Sequence, residues 1–243
     1  MPMGSDEAGR GPVMGPLVIC TLFCDDIGWM VDNVISDSKT LTSSRREIIS
    51  RTLNERCSYC ILEIPASSID EARSGMTMNR LEVLAFASSS VSLIKGESRL
   101  HDGLPDGCEV EIVRTGETEG PLYVDAADVD EERFGTSVAK AIRDIDPSVD
   151  VEIRSKHKAD RDMHVVGAAS IIAKVRMDMR MVEISKNLGK HAGSGYPSDP
   201  NTREFLTNWV KDRDELPPHT RTTWKTARIA INNRSQKTLD LFG

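Results

Sequence analysis

The sequence predicts an α/β fold from the order of its segments, and a single domain from its length and composition. Short apolar segments of strand character alternate along the chain with longer segments in which apolar residues recur at helical spacing. The chain has 243 residues, of which 39% are hydrophobic, so it is long enough and apolar enough to bury a substantial core. No internal repeat is present. We therefore expect one substantial domain, or one domain with an appendage.

The N-terminal 25 residues predict a strand, a turn and a second strand. Three glycines and a proline within Gly4–Pro12 exclude a regular helix there, and the apolar run Val13–Cys24 predicts a buried strand. Residues 96–120 are polar and rich in glycine, which predicts a loop or a poorly ordered hairpin. Three further strands are predicted at Tyr59–Ile64, Pro121–Asp125 and Val151–Ile153.

Helices are predicted from apolar residues at helical spacing and from capping residues at segment starts. Small residues throughout Val165–Ile184 predict a helix that packs closely on its neighbours. Asp199 followed by Pro200 is typical of a helix start, with a cap before proline at the first helical position. The other predicted helices begin near Thr42 or cover Met78–Ile94 and the basic segment Arg221–Ile231.

Composition and patterning exclude several classes of protein. No run of 18 or more apolar residues exists, so no membrane span is predicted, and residues 1–10 do not resemble a secretory signal. The five cysteines are scattered and odd in number, so they predict no disulfide framework. Cys57 and Cys60 form a single C-x-x-C without a second pair, and we interpret them as structural rather than as zinc ligands. We expect a soluble cytoplasmic protein.

The distribution of charge is more informative than the net charge of −7, which by itself argues against a nucleic-acid-binding protein. The segment Arg99–Gly135 holds eleven acids and three bases. In contrast, the segment His219–Leu239 holds five bases and no acid. The C-terminal segment is therefore predicted to be able to contact a polyanion.

Four acidic residues, Asp6, Glu7, Asp125 and Asp160, stand out by their positions. Asp6 and Glu7 end a short strand before a glycine-rich turn, Asp125 ends an apolar strand, and Asp160 follows a basic run. Carboxylates at strand ends are costly to bury unless a positive charge neutralises them, and several that converge suit hard divalent cations. Two such ions can hold a phosphodiester and activate water. For any one acid taken alone, a solvated turn or a helix cap is the commoner interpretation, and spacing alone does not bring the four together.

Ordered blocks along nearly the whole chain resemble the ribonuclease HII family, in the form found in its archaeal and eukaryotic branch. The N-terminal block contains the acids Asp6 and Glu7 followed by Gly9-Arg10-Gly11. The blocks are Ser5–Val18, Asp37–Leu41 with Arg46, Leu122–Asp128, Lys158–Asp160, Ala168–Val175, Gly193–Pro200 and Thr223–Thr226.

The resemblance implies a ribonuclease-H-like fold, with a mixed five-stranded sheet flanked by helices and a C-terminal helical extension. The implied divisions are a catalytic domain at 1–190, the extension at 191–234 and a flexible tail at 235–243. The implied activity is metal-dependent endonucleolytic cleavage of RNA in RNA–DNA hybrids and of duplex DNA at embedded ribonucleotides, leaving 3′-hydroxyl and 5′-phosphate ends. Two divalent ions, Mg²⁺ or Mn²⁺, would be held by the matched carboxylates Asp6, Glu7, Asp125 and Asp160.

The same resemblance implies the residues that contact substrate. Gly9, Arg10 and Gly11 match the turn that contacts the ribose 2′-hydroxyl, and Tyr196 matches the tyrosine that packs on that ribose. Each feature alone is also compatible with an ordinary turn. The candidate phosphate contacts are the bases Lys39, Arg46, Lys174, Arg221 and Lys225.

The C-terminal tail resembles the peptide by which replication proteins bind the sliding clamp PCNA. Gln236, Leu239 and Phe242 match the glutamine, aliphatic and aromatic positions of that peptide. The alternative is a frayed tail whose apolar residues pack back on the domain.

Three functional hypotheses follow. The leading one is a monomeric, metal-dependent ribonuclease HII. The second is a catalytically silent nucleic-acid-binding or clamp-docking subunit, and the third is another two-metal nuclease of the same fold. Four intact acids argue against a silent subunit.

Overall fold

A computed structural model describes the backbone of residues 1–32, 41–213 and 215–239, and the side chains of these residues except 32 and 233–239. The predicted substrate residue Lys39 and the predicted clamp residue Phe242 lie outside the described residues. Within the described part of the chain, no helix is long and apolar enough to cross a bilayer.

The strands of the described residues form one mixed sheet. Their order across the sheet is β4-β3-β2-β1-β5-β6, with antiparallel pairing from β4 to β1 and parallel pairing from β1 to β6. The strands are β1 (Met3–Ala8), β2 (Leu17–Phe23), β3 (Ser58–Ile64), β4 (Glu109–Val113), β5 (Leu122–Asp125) and β6 (Ile153–Lys156).

Helices cover both faces of this sheet. They are α1 (Ile27–Asp32), α2 (Ser43–Arg56), α3 (Ala66–Ala72), α4 (Met78–Lys95), α5 (Glu131–Ile145), α6 (Ala159–Asp162), α7 (His164–Asn187), α8 (Pro200–Arg213) and α9 (Lys225–Leu239).

The prediction of five strands is wrong by one, because β4 forms within the segment predicted as a loop or a poorly ordered hairpin. This edge strand pairs with β3 from Tyr59↔Val113 to Glu63↔Glu109. Its glutamates are neutralised by α7: Arg180 Nη2 lies 2.8 Å from Glu109 Oε2, and Arg176 pairs with Glu111. The residues of β4 alternate as in a strand, but the polar, glycine-rich segment around them led to the loop prediction.

Two apolar cores lie on opposite faces of the sheet, and the alternation along β2 shows how the chain builds both. Val18 and Cys20 belong to the core under α7, while Leu17 and Ile19 belong to the core under α4 and α5. The predicted close packing of the small-residue helix is confirmed, because a Cβ placed on Gly4 would lie 2.5 Å from the backbone of Val165.

The C-terminal helix differs from prediction at both ends. It begins at Lys225 rather than at Arg221, because Asp70 of α3 accepts hydrogen bonds from the backbone and hydroxyl groups of Thr222 and Thr223 and holds them in a turn. Its described backbone stays helical to Leu239, although the sequence predicts a flexible tail from residue 235. No glycine or proline interrupts the segment, which favours this continuation.

Candidate active site

Parallel pairing of three strands brings three aspartates to one end of the sheet. Ser5 of β1 lies opposite Val124 of β5, so the next residues in register are Asp6 and Asp125. Asp160 follows on α6, just beyond the end of β6. The backbone N–H of Ala159 donates to Asp125 Oδ1 at 2.8 Å and joins α6 to the end of β5.

The fourth acid, Glu7, comes from the opposite face of β1. Side chains alternate along a strand, so Asp6 faces α7 on the same side as Gly4, and Glu7 faces α4. The Glu7 backbone N–H donates to Asp6 Oδ1 at 2.7 Å. The two adjacent carboxyl groups therefore approach the end of the sheet from its two sides.

The electrostatics show that the other three carboxyl groups act on Asp6. Burial raises the pKa of Asp6 well above its ordinary value, and the negative charges of Glu7, Asp125 and Asp160 raise it further. The hydrogen bond from the Glu7 N–H acts in the opposite direction. Ionised Asp6 is thus unfavourable unless a cation is present nearby.

The chemistry of this donor set fits hard divalent cations, which prefer carboxylate oxygens. Among the described residues, however, no group of three or more His, Cys, Asp or Glu side chains is already arranged to hold a metal ion. The carboxylates therefore suit a divalent cation by their chemical identity and their burial. A bound cation would also relieve the repulsion that Asp6 experiences from the other acids.

A turn with a required glycine follows β1. Gly9 has φ +90°, and a Cβ there would lie 2.4 Å from the carbonyl oxygen of Pro16, so no other residue fits. A Cβ on Gly11 would lie 3.8 Å from Tyr196 Cε1, which puts the tyrosine ring beside the turn. The Val13 N–H donates to the Gly195 carbonyl at 2.8 Å and fixes these two segments together.

Arg10, the middle residue of this turn, directs its side chain toward α4 and stays partly exposed. Its guanidinium pairs with Glu82 and donates from Nη2 to Asn79 Oδ1 at 2.7 Å. Both partners lie in the first turns of α4. Burial and the charge of Glu7 raise the pKa of Glu82 to about 8, although Arg10 acts in the opposite direction. What residues 9–11 offer to a ligand is therefore chiefly backbone.

The prediction that Arg221 contacts a phosphate is corrected by its burial. The side chain is 0% exposed, and it donates to the carbonyl oxygens of Gly9 at 2.6 Å, Arg10 at 3.1 Å and Gly15 at 3.0 Å. Burial lowers its pKa to about 10, so the guanidinium still carries its charge at neutral pH. Arg221 fixes the backbone of the 9–15 loop.

Two of the predicted phosphate contacts share a carboxylate. Lys174 and Arg46 both pair with Asp178, the latter at 3.4 Å. Lys174 Nζ also lies 5.8 Å from the centre of the Tyr196 ring, and burial raises the pKa of that tyrosine. Arg46, Lys174 and Ser194 line a groove of about 980 Å³ between α2 and α7.

The remaining predicted residues lie near the C-terminus. Lys225 is exposed at the first position of α9. Gln236 and Leu239 lie on the helical backbone of α9, in the part whose side chains are not described. Sequence reasoning missed Glu82 and Asn79; an acid inside the apolar helical segment around Glu82 was the available signal.

A mixed sheet with helices on both faces and acids at the ends of its central parallel strands defines a nuclease of the ribonuclease-H-like fold. The family model described as Ribonuclease HII matches residues 3–227. Ribonuclease HII of Methanosarcina barkeri is 39% identical over 229 residues, which cover 92% of each chain.

Solved structures agree with this assignment. Ribonuclease H2 of Pyrococcus horikoshii OT3 superposes with a TM-score of 0.76 at 34% identity, over 97% of this chain and 99% of the other. A chain of the PCNA:RNase HII complex from Archaeoglobus fulgidus gives 0.75 at 30% identity, over 93% and 94%. The chain belongs to the ribonuclease HII family and is an endonuclease that hydrolyses the RNA strand of RNA–DNA hybrids.

Proposed function

We propose that Asp6, Glu7, Asp125 and Asp160 are the catalytic carboxylates of this endonuclease. The observation that carries the proposal is the buried Asp6, whose ionisation is opposed by the other three acids. In this scheme, the four side chains hold two divalent ions, Mg²⁺ or Mn²⁺. When bound, such ions supply positive charge that activates water and stabilises the charge developing on the phosphate.

The residues of the 9–11 turn are proposed to recognise the ribose. Backbone groups of Gly9, Arg10 and Gly11 contact the 2′-hydroxyl, which distinguishes RNA from DNA at one position. Tyr196 packs against the same sugar, and its place beside Gly11 supports this role. The enzyme thereby nicks duplex DNA at an embedded ribonucleotide and leaves 3′-hydroxyl and 5′-phosphate ends.

In the proposed division of the chain, residues 1–190 carry the acids and residues 191–234 complete the site. Tyr196 and Arg221 both come from this C-terminal extension. Arg46, Lys174 and Lys225 are proposed to contact phosphates, and Lys39 stays a prediction.

A cleavage assay tests this function. The substrates are duplex DNA with one ribonucleotide, an RNA–DNA hybrid and an all-DNA duplex, each with Mg²⁺ or with a chelator. We expect metal-dependent cleavage of the first two and none of the third. Cutting of the all-DNA duplex would favour another two-metal nuclease, and binding without cutting would favour a silent subunit.

We also propose that the tail, residues 235–243, docks on PCNA through Gln236, Leu239 and Phe242. The related Archaeoglobus fulgidus protein was solved in a PCNA:RNase HII complex, which supports this proposal. Tethering to the clamp would raise the effective concentration of the enzyme at DNA. Deletion of residues 236–243 should abolish binding to PCNA in calorimetry and leave cleavage of a free oligonucleotide unchanged; equal binding by the truncated chain would refute the docking. A monomer and a cytoplasmic location stay predictions.

A further inference from the structure

Glu82 is a buried acid with an unusual setting. It lies on α4 beneath the active-site turn, and its side chain is 0% exposed. One carboxylate oxygen pairs with Arg10, while Oε1 is buried without a hydrogen-bond partner among the described residues. Burial of a carboxylate costs free energy, which its pairing with Arg10 only partly offsets. A second acid, Glu7, lies close enough to repel it and adds to this cost.

Arg10 is held from α4 by two residues on one helix face. Asn79 and Glu82 are three positions apart, so they point in the same direction, and together they engage both terminal nitrogens of the guanidinium. The Arg10 side chain is 37% exposed, so it lies at the surface of the site rather than inside the core.

The main chain of the same turn is held separately by Arg221 of the C-terminal extension. Arg221 binds the carbonyl oxygens of Gly9 and Arg10, and the two carbonyls thereby face the C-terminal extension. With the main chain fixed on one side and the Arg10 side chain fixed on the other, the backbone of residues 9–11 has one orientation.

We propose that Glu82 is a positioning residue that fixes Arg10 and thereby orients the backbone of residues 9–11 for recognition of the ribose. This inference rests on the proposed function of that turn. Glu82 contacts no substrate in this scheme, and it acts through Arg10.

The test measures the preference for ribose without the chemical step. Dissociation constants are measured, in the absence of divalent ions, for a duplex with one ribonucleotide and for the all-DNA duplex of the same sequence. Their ratio is the ribose preference, and it is compared for the wild type, Glu82→Ala, Glu82→Gln, Arg10→Ala and the double variant Arg10→Ala/Glu82→Ala. Steady-state cleavage with Mg²⁺ is measured in parallel.

We expect Glu82→Ala to lower the ribose preference about tenfold, the effect of losing one charged hydrogen bond. Glu82→Gln should lose less, because its amide oxygen still accepts from Arg10. The double variant should match Arg10→Ala, since Glu82 acts through that residue. If Glu82→Ala does not fold, Glu82→Gln and Arg10→Ala carry the test.

Glu63 provides the matched control. It is also a buried acid paired with arginines, but it lies on β3, two strands from β1, and its partners Arg176 and Arg180 belong to α7 rather than to the turn. Glu63→Ala should lower the melting temperature without changing the ribose preference.

Three results would overturn the inference: an unchanged ribose preference in Glu82→Ala, losses of preference that multiply in the double variant, or an equal loss of preference in Glu63→Ala. If the wild type still cleaves the hybrid, any of these results leaves the proposed function intact. A wild type that cleaves neither ribonucleotide substrate would overturn the proposed function and this inference together.

Discussion

Among single residues, Asp6 is the acid whose ionisation is opposed both by burial and by the charges of Glu7, Asp125 and Asp160. The repulsion predicts that Asp125→Asn stabilises the metal-free protein or leaves its stability unchanged, while it abolishes cleavage. Chemical denaturation in the presence of a chelator measures the stability, and the cleavage assay measures the activity. An Asp125→Asn variant that cuts the hybrid at the wild-type rate would exclude this residue from catalysis.

Tyr196 is the second informative residue, because its ring lies beside Gly11 and under Lys174. Tyr196→Phe keeps the packing and loses the hydroxyl, whereas Tyr196→Ala loses both. We expect cleavage at a single ribonucleotide to fall about tenfold or more in Tyr196→Ala and less in Tyr196→Phe, since a lost hydrogen bond contributes about 1 kcal/mol. Equal activity of all three proteins would make Tyr196 a turn residue.

At the scale of elements, Asp199 joins α8 to the segment before it that carries Tyr196. Its carboxylate accepts from the Asn201 N–H at the start of α8 at 2.9 Å and from the Ser194 N–H at 2.6 Å. These bonds lower the pKa of Asp199 to about 2. The cap of α8 therefore also holds the segment that carries Tyr196.

Removal of this cap gives a prediction with a defined pH dependence. Asp199→Ala should lower the free energy of unfolding at pH 7 by about 1 kcal/mol, and Asp199→Asn by less, because asparagine also caps. The pKa is lower in the folded state, so the stabilisation is complete above the ordinary value near pH 4 and is lost as the pH falls toward about 2. Urea denaturation at pH 7 and pH 3 measures the difference; an equal loss at both would contradict the assignment.

The element that sequence patterns describe least well is β4, where strand formation depends on a partner. Its glutamates alternate with valine and isoleucine as in a strand, but the run is only five residues long and its surroundings are polar and rich in glycine. The ion pairs of these glutamates come from Arg176 and Arg180 of α7, more than 60 positions away, and no local pattern along the sequence shows them.

On the scale of the whole molecule, Arg221 connects the two ends of the sequence. Its charged side chain is buried and donates hydrogen bonds to the carbonyl oxygens of Gly9 and Gly15 in the N-terminal loop. Arg221→Lys should lower the free energy of unfolding by about 2 to 4 kcal/mol, because a lysine cannot satisfy the same fork of acceptors. Arg143→Lys, at an exposed arginine in the last turn of α5, is the control and should change stability little. A denaturation midpoint equal to that of the wild type would contradict this role.

A second prediction for the whole molecule concerns the salt dependence of substrate binding, in a protein whose net charge is −7. Substrate binding should weaken steeply with salt, since phosphate contacts release counterions even from an acidic protein. Lys225→Ala should reduce the slope of log K against log salt by about 1. Lys140→Ala, at an exposed lysine paired with Asp144 on α5, should leave the slope unchanged. Binding that does not depend on salt would contradict a phosphate-contacting surface.

The sequence by itself determined the α/β class and the family, and it predicted the four acids as the catalytic set, because local periodicity and ordered motifs can be recognised without knowledge of distances. Tertiary structure decided which side chains meet. The register of β1 with β5 puts Asp6 beside Asp125. Arg221 was predicted to contact a phosphate, but its buried position shows that it holds the 9–15 loop instead. Glu82 acquired its partner in the same way, since residues 72 positions apart become neighbours only when α4 packs against the sheet. Burial and long-range pairing are properties of the folded chain, and no spacing along the sequence contains them.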